Sequence, residues 1–305
     1  MAVMTRAQFA KSLQDGLNTF FGLEYDEYPE EYSRVFMVES SDRAYEEDVL
    51  LTGFSYAAEK AEGGEYHSDE GMEGWTKRYT HRTVTLSFDV TEEAIEDNRY
   101  MKLGPKYSRA MARSMRQTKE VYAANVLNNA STDTYAGGDG VGLLSTAHPL
   151  VGGGTASNEL ATPADISEDA IEQVLIMIRK CKDDRGLPAM IQPKDLIVSP
   201  DSEFNARRII GNVNRPATAD RDINAMKQAG FFGKDPITLT NLTDTDAWFI
   251  NTNAPDGLKV IDRIKTVMPK ATVDPSTGNI KYRARARYSE GWSEWRGCFG
   301  SMGAG

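Results

Sequence analysis

Between Ile280 and Tyr288 every second residue is a cation: Lys281, Arg283, Arg285 and Arg287 alternate with Tyr282, Ala284 and Ala286. In an extended strand that period puts the four charges on one face and the apolar side chains on the other. Such a row fits a solvated strand face, a docking surface for carboxylates, or a grip on phosphates. The phosphate reading comes last, because no aromatic side chain is interleaved on the charged face for base stacking. Candidate carboxylate partners lie in the stretch Glu59 to Gly74, where Glu62, Glu65, Asp69 and Glu70 are four of six acidic residues spread among four glycines.

Other reactive residue types are present without the spacing their chemistry needs. Ser145-Thr146-Ala147-His148-Pro149 sets a hydroxyl near an imidazole, so an intracellular hydrolase using Ser145 and His148 is one reading. The G-x-S-x-G elbow is missing, and a loop histidine before proline commonly stabilises a turn. Gly138-Asp139-Gly140-Val141-Gly142 matches neither G-x-G-x-x-G nor a phosphate loop, and reads as turn glycine. His67, His81 and His148 fall in unrelated segments with no metal-ligand spacing. Cys181 and Cys298 read as small buried hydrophobes. The chain is expected not to be an enzyme and to carry no cofactor and no metal.

Composition narrows the class further. The 305 residues include 45 acidic and 35 basic side chains, a formal charge of −10, which argues against a protein that grips nucleic acid through clustered cations. The charge is unevenly placed: residues 1–100 carry −13 and the remainder +3. Across a subunit boundary that asymmetry would steer one chain's front onto another chain's back. The longest strongly apolar run, Val174 to Ile178, is far short of the ~20 residues that span a bilayer, so no membrane helix is expected. Two cysteines and the absence of a signal-peptide pattern suggest synthesis in a reducing cytosol.

Several elements must position these residues. A capping box at Thr5 and apolar residues Phe9, Leu13, Leu17 and Phe20 predict a helix ending at Gly22, followed by an extended, acidic, Tyr-rich arm. Val49 to Val90 reads as a long hairpin whose tip is Glu59 to Gly74 and whose descending limb alternates through Val84, Leu86, Phe88 and Val90. Pro105 opens a helix running to Asn129, with Met111, Met115, Thr118 and Tyr122 as its stripe and Ala110, Ala123 and Ala124 allowing close approach. A Gly-rich ordered loop follows. The next part alternates helices and strands as an α+β or α/β domain does. Its helix starts at Ser167 and buries Ile171, Val174, Leu175 and Ile178. A strand at Leu196–Val198, a helix after Ser199-Pro200, and strands at Ile237–Leu242, Trp248–Asn251 and Leu258–Ile261 complete it. Asp274 to Asn279 then turns the chain into the basic strand.

In this order of parts the chain resembles the tailed-phage major capsid proteins, closest in appearance to the major head subunits of Mu-like phages and prophages. Three stretches carry the resemblance: Glu96 to Asn129 with Gly140-Val141-Gly142-Leu143-Leu144-Ser145-Thr146-Ala147-His148-Pro149; Pro193 to Ile210; and Ala284-Arg285-Ala286-Arg287-Tyr288 through Trp292, Trp295 and Arg296. The resemblance implies an α+β capsid fold. Its parts would be an N-terminal arm (1–45), an extended loop (46–90), a peripheral domain with the long spine helix (91–163 and 263–305), and an axial domain (164–262). It implies a structural subunit forming hexamers and pentamers in an icosahedral shell around double-stranded DNA, made in the host bacterial cytoplasm and residing in the virion. Packaged DNA without sequence-specific binding, a separate scaffold, a portal and a decoration protein are the implied partners. A cellular nanocompartment shell of the same fold and a tail or baseplate component are the alternatives. Some relatives cross-link a loop Lys to a neighbour's Asn; here Lys60, Lys77 and Asn279 read as ordinary surface residues.

Overall fold

The computed structural model describes residues 21–27, 29–91, 93, 100–212, 224–232 and 235–304. The capping box and stripe expected over Thr5 to Phe20 lie outside them. Gly22 does not end a helix, because residues 21–27 are helical. There Phe21 stacks on Tyr25 one turn later, with ring centroids 6.1 Å apart, and the pair packs onto apolar side chains that an extended arm would miss.

A five-stranded sheet organises one end of the molecule. Strands β1 (Met37–Ser40), β10 (Leu258–Val267), β12 (Ile280–Trp292) and β11 (Thr272–Val273) follow in that order, and β4 (Arg82–Val90) also pairs with β12. The β1–β10 pair is parallel and the others antiparallel. β12 alternates as its sequence requires: Tyr282, Ala284, Ala286 and Tyr288 are buried, while Lys281, Arg283 and Arg285 are exposed and Arg287 is half-buried. The buried row packs with Met111, Ala112 and Met115 of the long helix α1 (Tyr100–Asn128). Burying each of the larger side chains contributes about 2 kcal/mol.

α1 spans roughly 43 Å at 1.5 Å per residue. It begins before Pro105, not at it. A proline inside a first helical turn and one a turn later carry the same sequence signal. Ala110, expected at a close approach, is exposed.

The short strands β5 (His148–Pro149) and β6 (Thr155–Ala156) pair only with each other, and the second sheet has order β13 (Cys298–Ser301), β9 (Trp248–Thr252), β7 (Pro193–Val198), β8 (Ile237–Thr238). Its core side chains Leu196, Ile197, Val198, Phe249, Ile250 and Phe299 meet Ile171, Val174, Leu175 and Ile178 of α2 (Glu168–Lys180). Ser167 caps α2 by accepting the Ala170 N–H at 3.2 Å. Helices α3 (Glu203–Gly211) and α4 (Ala225–Ala229) add Ala206, Ile209, Ile210 and Met226, whereas Phe204 stays exposed. Residues 298–301, expected with the spine-helix part, pair with β9 in this sheet.

The hairpin is shorter than expected. Its limbs are β2 (Tyr45–Leu51) and β3 (Glu73–Thr80), in register from Tyr45 opposite Thr80 to Val49 opposite Thr76, with a register shift before Leu51 meets Glu73. The strand Arg82–Val90, expected as the descending limb, leaves the hairpin at His81 and runs nine residues along β12. Alternation marks a half-buried strand and does not name its partner.

Candidate assembly surfaces

The hairpin shows the largest exposed apolar side chains in sequence proximity. Val49, Leu51, Phe54, Tyr56 and Met72 are exposed, as is Tyr66 at 86%. Within the tip, Ser55 donates its N–H and hydroxyl to Asp69 Oδ2, each at 2.6 Å, and Arg185 Nη2 lies 2.5 Å from Asp69 Oδ1. These hydrogen bonds hold the Asp69 carboxyl well below the usual range. Asp69 therefore ties the tip to the turn at residues 183–187 of its own chain. Glu62, Glu65 and Glu70 are exposed and have no ion pair among the described residues. Lys60 lies over the Tyr66 ring, 4.0 Å from its centroid.

The basic row faces a row of hydroxyls. Across the β4–β12 ladder Arg283 opposes Ser87, Arg285 opposes Thr85 and Arg287 opposes Thr83. A shallow groove of about 950 Å³ runs over this face, with Leu86, Val267 and Pro269 beside the cations. Lys281 is 3.6 Å from Asp89 of its own chain, while Arg283 and Arg285 have no ion pair among the described residues. The structure thus does not bring the acidic tip and the basic row of one chain together.

Much of the acidic front is used internally. Glu30 lies 2.5 Å from Arg116 of α1. Glu120 accepts the Glu31 and Tyr32 N–H groups at 3.0 Å each, fixing the arm where it turns. At the hairpin base Lys259, nearly buried, meets Asp48 at 2.7 Å and Asp256 at 2.6 Å, with Glu39 at 3.8 Å. Burial works against its charge, and the bonds from Asp256 and Asp48 outweigh it, leaving the ammonium above the ordinary lysine value. Ser293 donates to Asp48 at 2.6 Å and its hydroxyl lies 2.5 Å from the Tyr79 hydroxyl. None of this clasp is visible as a sequence pattern, because its members are separated by up to 254 positions. Lys77, expected at the surface, points inward and donates to Ala136 O; burial lowers its affinity for protons and Asp139 opposes that.

The Ser145 and His148 reading fails on geometry. His148 is fully buried, with Nδ1 2.7 Å from Asp139 Oδ2 and Nε2 3.1 Å from Asn158 Oδ1, and its ring stacks on Trp295 at 4.8 Å. Both ring nitrogens are engaged, and Ser145 Oγ instead accepts the Ala147 N–H at 3.1 Å. Among the described residues no base is presented to that hydroxyl. The glycines beside it serve close packing: a Cβ on Gly137 would enter the Trp292 ring, and one on Gly142 would strike the carbonyls of Ala130 and Thr132. Burial raises both thiols, Cys298 to about 12. Among the described residues no group of three or more His, Cys, Asp or Glu is placed to hold a metal, and no helix is long and apolar enough to cross a membrane.

Comparison with known proteins bears on these surfaces. The family model for phage capsid protein matches residues 75–300. The fold is similar to that of the bacteriophage JBD30 capsid, at 14% identity over 98% of this chain and 73% of that one, with a TM-score of 0.50. It is also similar to the capsid of an empty GTA particle (10% identity, 90% of each chain, TM-score 0.52). A virus-like particle from Pyrococcus furiosus matches at 10% identity, over 94% of this chain and 98% of that one, with a TM-score of 0.51. No curated protein matches the sequence.

Proposed function

The chain belongs to the phage capsid protein family, and on that premise we propose how its surfaces close a shell. It is a structural protein, a major capsid subunit of the virion, and assembly as hexamers and pentamers is the habit of this fold. The observation that carries the assembly reading is the hairpin. Val49, Leu51, Phe54, Tyr56 and Met72 are uncovered by their own chain, and a two-stranded ribbon is marginal alone in water. A neighbouring subunit covers them.

In this reading Glu62, Glu65 and Glu70 of one subunit meet Lys281, Arg283, Arg285 and Arg287 of the next, with Asp69 holding the tip in place through Arg185. Opposite charges and an apolar groove floor on the basic side support that pairing. The five-stranded sheet with α1 acts as the peripheral part and the four-stranded sheet with α2 and α3 as the axial part. The shell packages double-stranded DNA without sequence-specific binding; a net charge of −10 suits a lining that must release its contents. A separate scaffold, a portal and a decoration protein complete the partners, and the host cytoplasm is the place of synthesis.

Negative-stain electron microscopy of the purified protein tests this. The full chain should give closed shells, and a variant lacking Glu59 to Gly74 should stay folded yet stop at capsomers or monomers. Tubes or small rings from the full chain would instead indicate a tail component. Normal heat-stable shells from the deletion would remove the role given to the hairpin.

A further inference from the structure

His81 occupies the single position between the hairpin strand β3 and the sheet strand β4. The other hairpin limb enters through Ser41, directly after β1. The two crossing points touch: His81 Nε2 lies 3.3 Å from Ser41 Oγ, and Nδ1 lies 3.0 Å from Ser289 Oγ of β12. One buried imidazole thus bonds both limbs of the hairpin base and the sheet they join.

The hydrogen-bond inventory assigns its proton. Ser41 gives its only hydroxyl hydrogen to Glu46 Oε1 at 2.6 Å and accepts the Arg43 N–H at 3.0 Å. Its remaining lone pair can only accept, so Nε2 carries hydrogen. In the neutral ring Nδ1 then accepts from the Ser289 hydroxyl. Protonating Nδ1 would reverse the Ser289 bond and force that hydroxyl to find another acceptor.

The surroundings oppose a further cation. Arg287 on β12 and Arg263 on β10 face the ring, and their Nε atoms are buried without a hydrogen-bond partner among the described residues. Among the described residues Glu46 on β2 is the carboxylate acting on the ring, and it already has Ser41 at 2.6 Å and Arg43 at 3.7 Å. Arg82, the first residue of β4, pairs instead with Glu290 at 2.5 Å. Burial first, then Arg287 and Arg263, hold His81 below the ordinary histidine value against the pull of Glu46.

We propose that His81 is a proton-operated latch at the base of the hairpin: neutral, it locks both limbs to the sheet, and protonated, it releases them. The sign follows from linkage. A histidine depressed in the closed state binds protons better when the base opens, so the closed base is favoured above the ordinary value of about 6.5 and is weakened as pH falls below it. The change lies within one chain and does not depend on the shell.

Amide hydrogen exchange of residues 45–51 and 73–80 in the full-length protein tests this, between pH 8 and pH 5 and corrected for intrinsic exchange chemistry. The wild type should show a severalfold rise in exchange on acidification, with a midpoint below the ordinary histidine value. His81→Gln retains a donor and an acceptor without a titratable proton, and should lose that rise. Arg287→Gln removes one opposing charge and should move the midpoint upward, a readout that stands even if His81→Gln folds poorly by circular dichroism. Glu290, pushed up to about 7 by burial despite Arg82, titrates nearby, but its protonation relieves a buried charge and acts in the opposite direction. An unchanged acid response in His81→Gln, an unmoved midpoint in Arg287→Gln, or a flat wild-type profile would each overturn the latch.

Discussion

Asn158 is fully buried and bonds more of its surroundings than any motif in the sequence suggests. Its Nδ2 donates its two hydrogens to Leu143 O at 2.6 Å and Cys298 O at 2.8 Å, with Trp295 O also within reach at 3.3 Å, and its Oδ1 accepts the Ser145 N–H at 2.9 Å and faces His148. The three carbonyls fix the amide's orientation, which leaves Oδ1 as the acceptor for His148 Nε2. The sequence marks His148 as a turn-stabilising loop residue, whereas it lies fully buried in a two-residue strand; Asn158 carries no signal, because an isolated Asn in a loop usually serves only a local turn. Asn158→Ala would strand several buried polar groups at once and should lower stability by about 3 kcal/mol. Urea unfolding of the variant measures that, and a loss below about 1 kcal/mol would mean that water replaces the amide.

At the scale of elements, the hairpin is defined by what clasps its base. Lys259 faces three carboxylates from three segments, and the Asp48 contact alone bridges 211 residues. Lys259→Gln would leave Asp48 and Asp256 without their cation. Both are partly solvated, so a cost of about 2 kcal/mol is expected, less than for a fully buried pair. The loss should concentrate in β2 and β3, read as faster amide exchange there, while α2 and β9 keep their protection. Uniform loosening of both sheets would show that the clasp stabilises the whole chain and not the hairpin.

At the scale of the molecule, the charge asymmetry divides into a part spent within the subunit and a part left over. Glu30, Asp48, Asp69 and Asp89 have cationic partners in their own chain, while Glu62, Glu65 and Glu70 face outward, as do Arg283 and Arg285. Exposed pairs contribute only about 0–1 kcal/mol each, yet a shell repeats each contact many times. Screening lengths fall to ~3 Å at 1 M salt, so assembly should slow with ionic strength while subunit circular dichroism holds constant. Replacing Arg283 and Arg285 with Gln should reproduce that slowing at low salt; Arg287 is left in place because it faces His81. Light-scattering curves indifferent to both changes would identify the row as a solvated face.

Sequence alone determined what depends on neighbours along the chain. The period of two from Ile280 to Tyr288 fixed which side chains of β12 are buried, Ser167 and its apolar stripe fixed α2, and the order of parts carried the resemblance to capsid subunits. Tertiary structure decided whatever depends on a distant partner: that Arg82–Val90 joins β12 and not the hairpin, that the last strand completes the second sheet, and that Lys77 turns inward. The physical reason is that periodicity reports only that a face is buried. The surface that buries it, and the ion pairs that close over long stretches of chain, are chosen by packing among segments far apart in sequence.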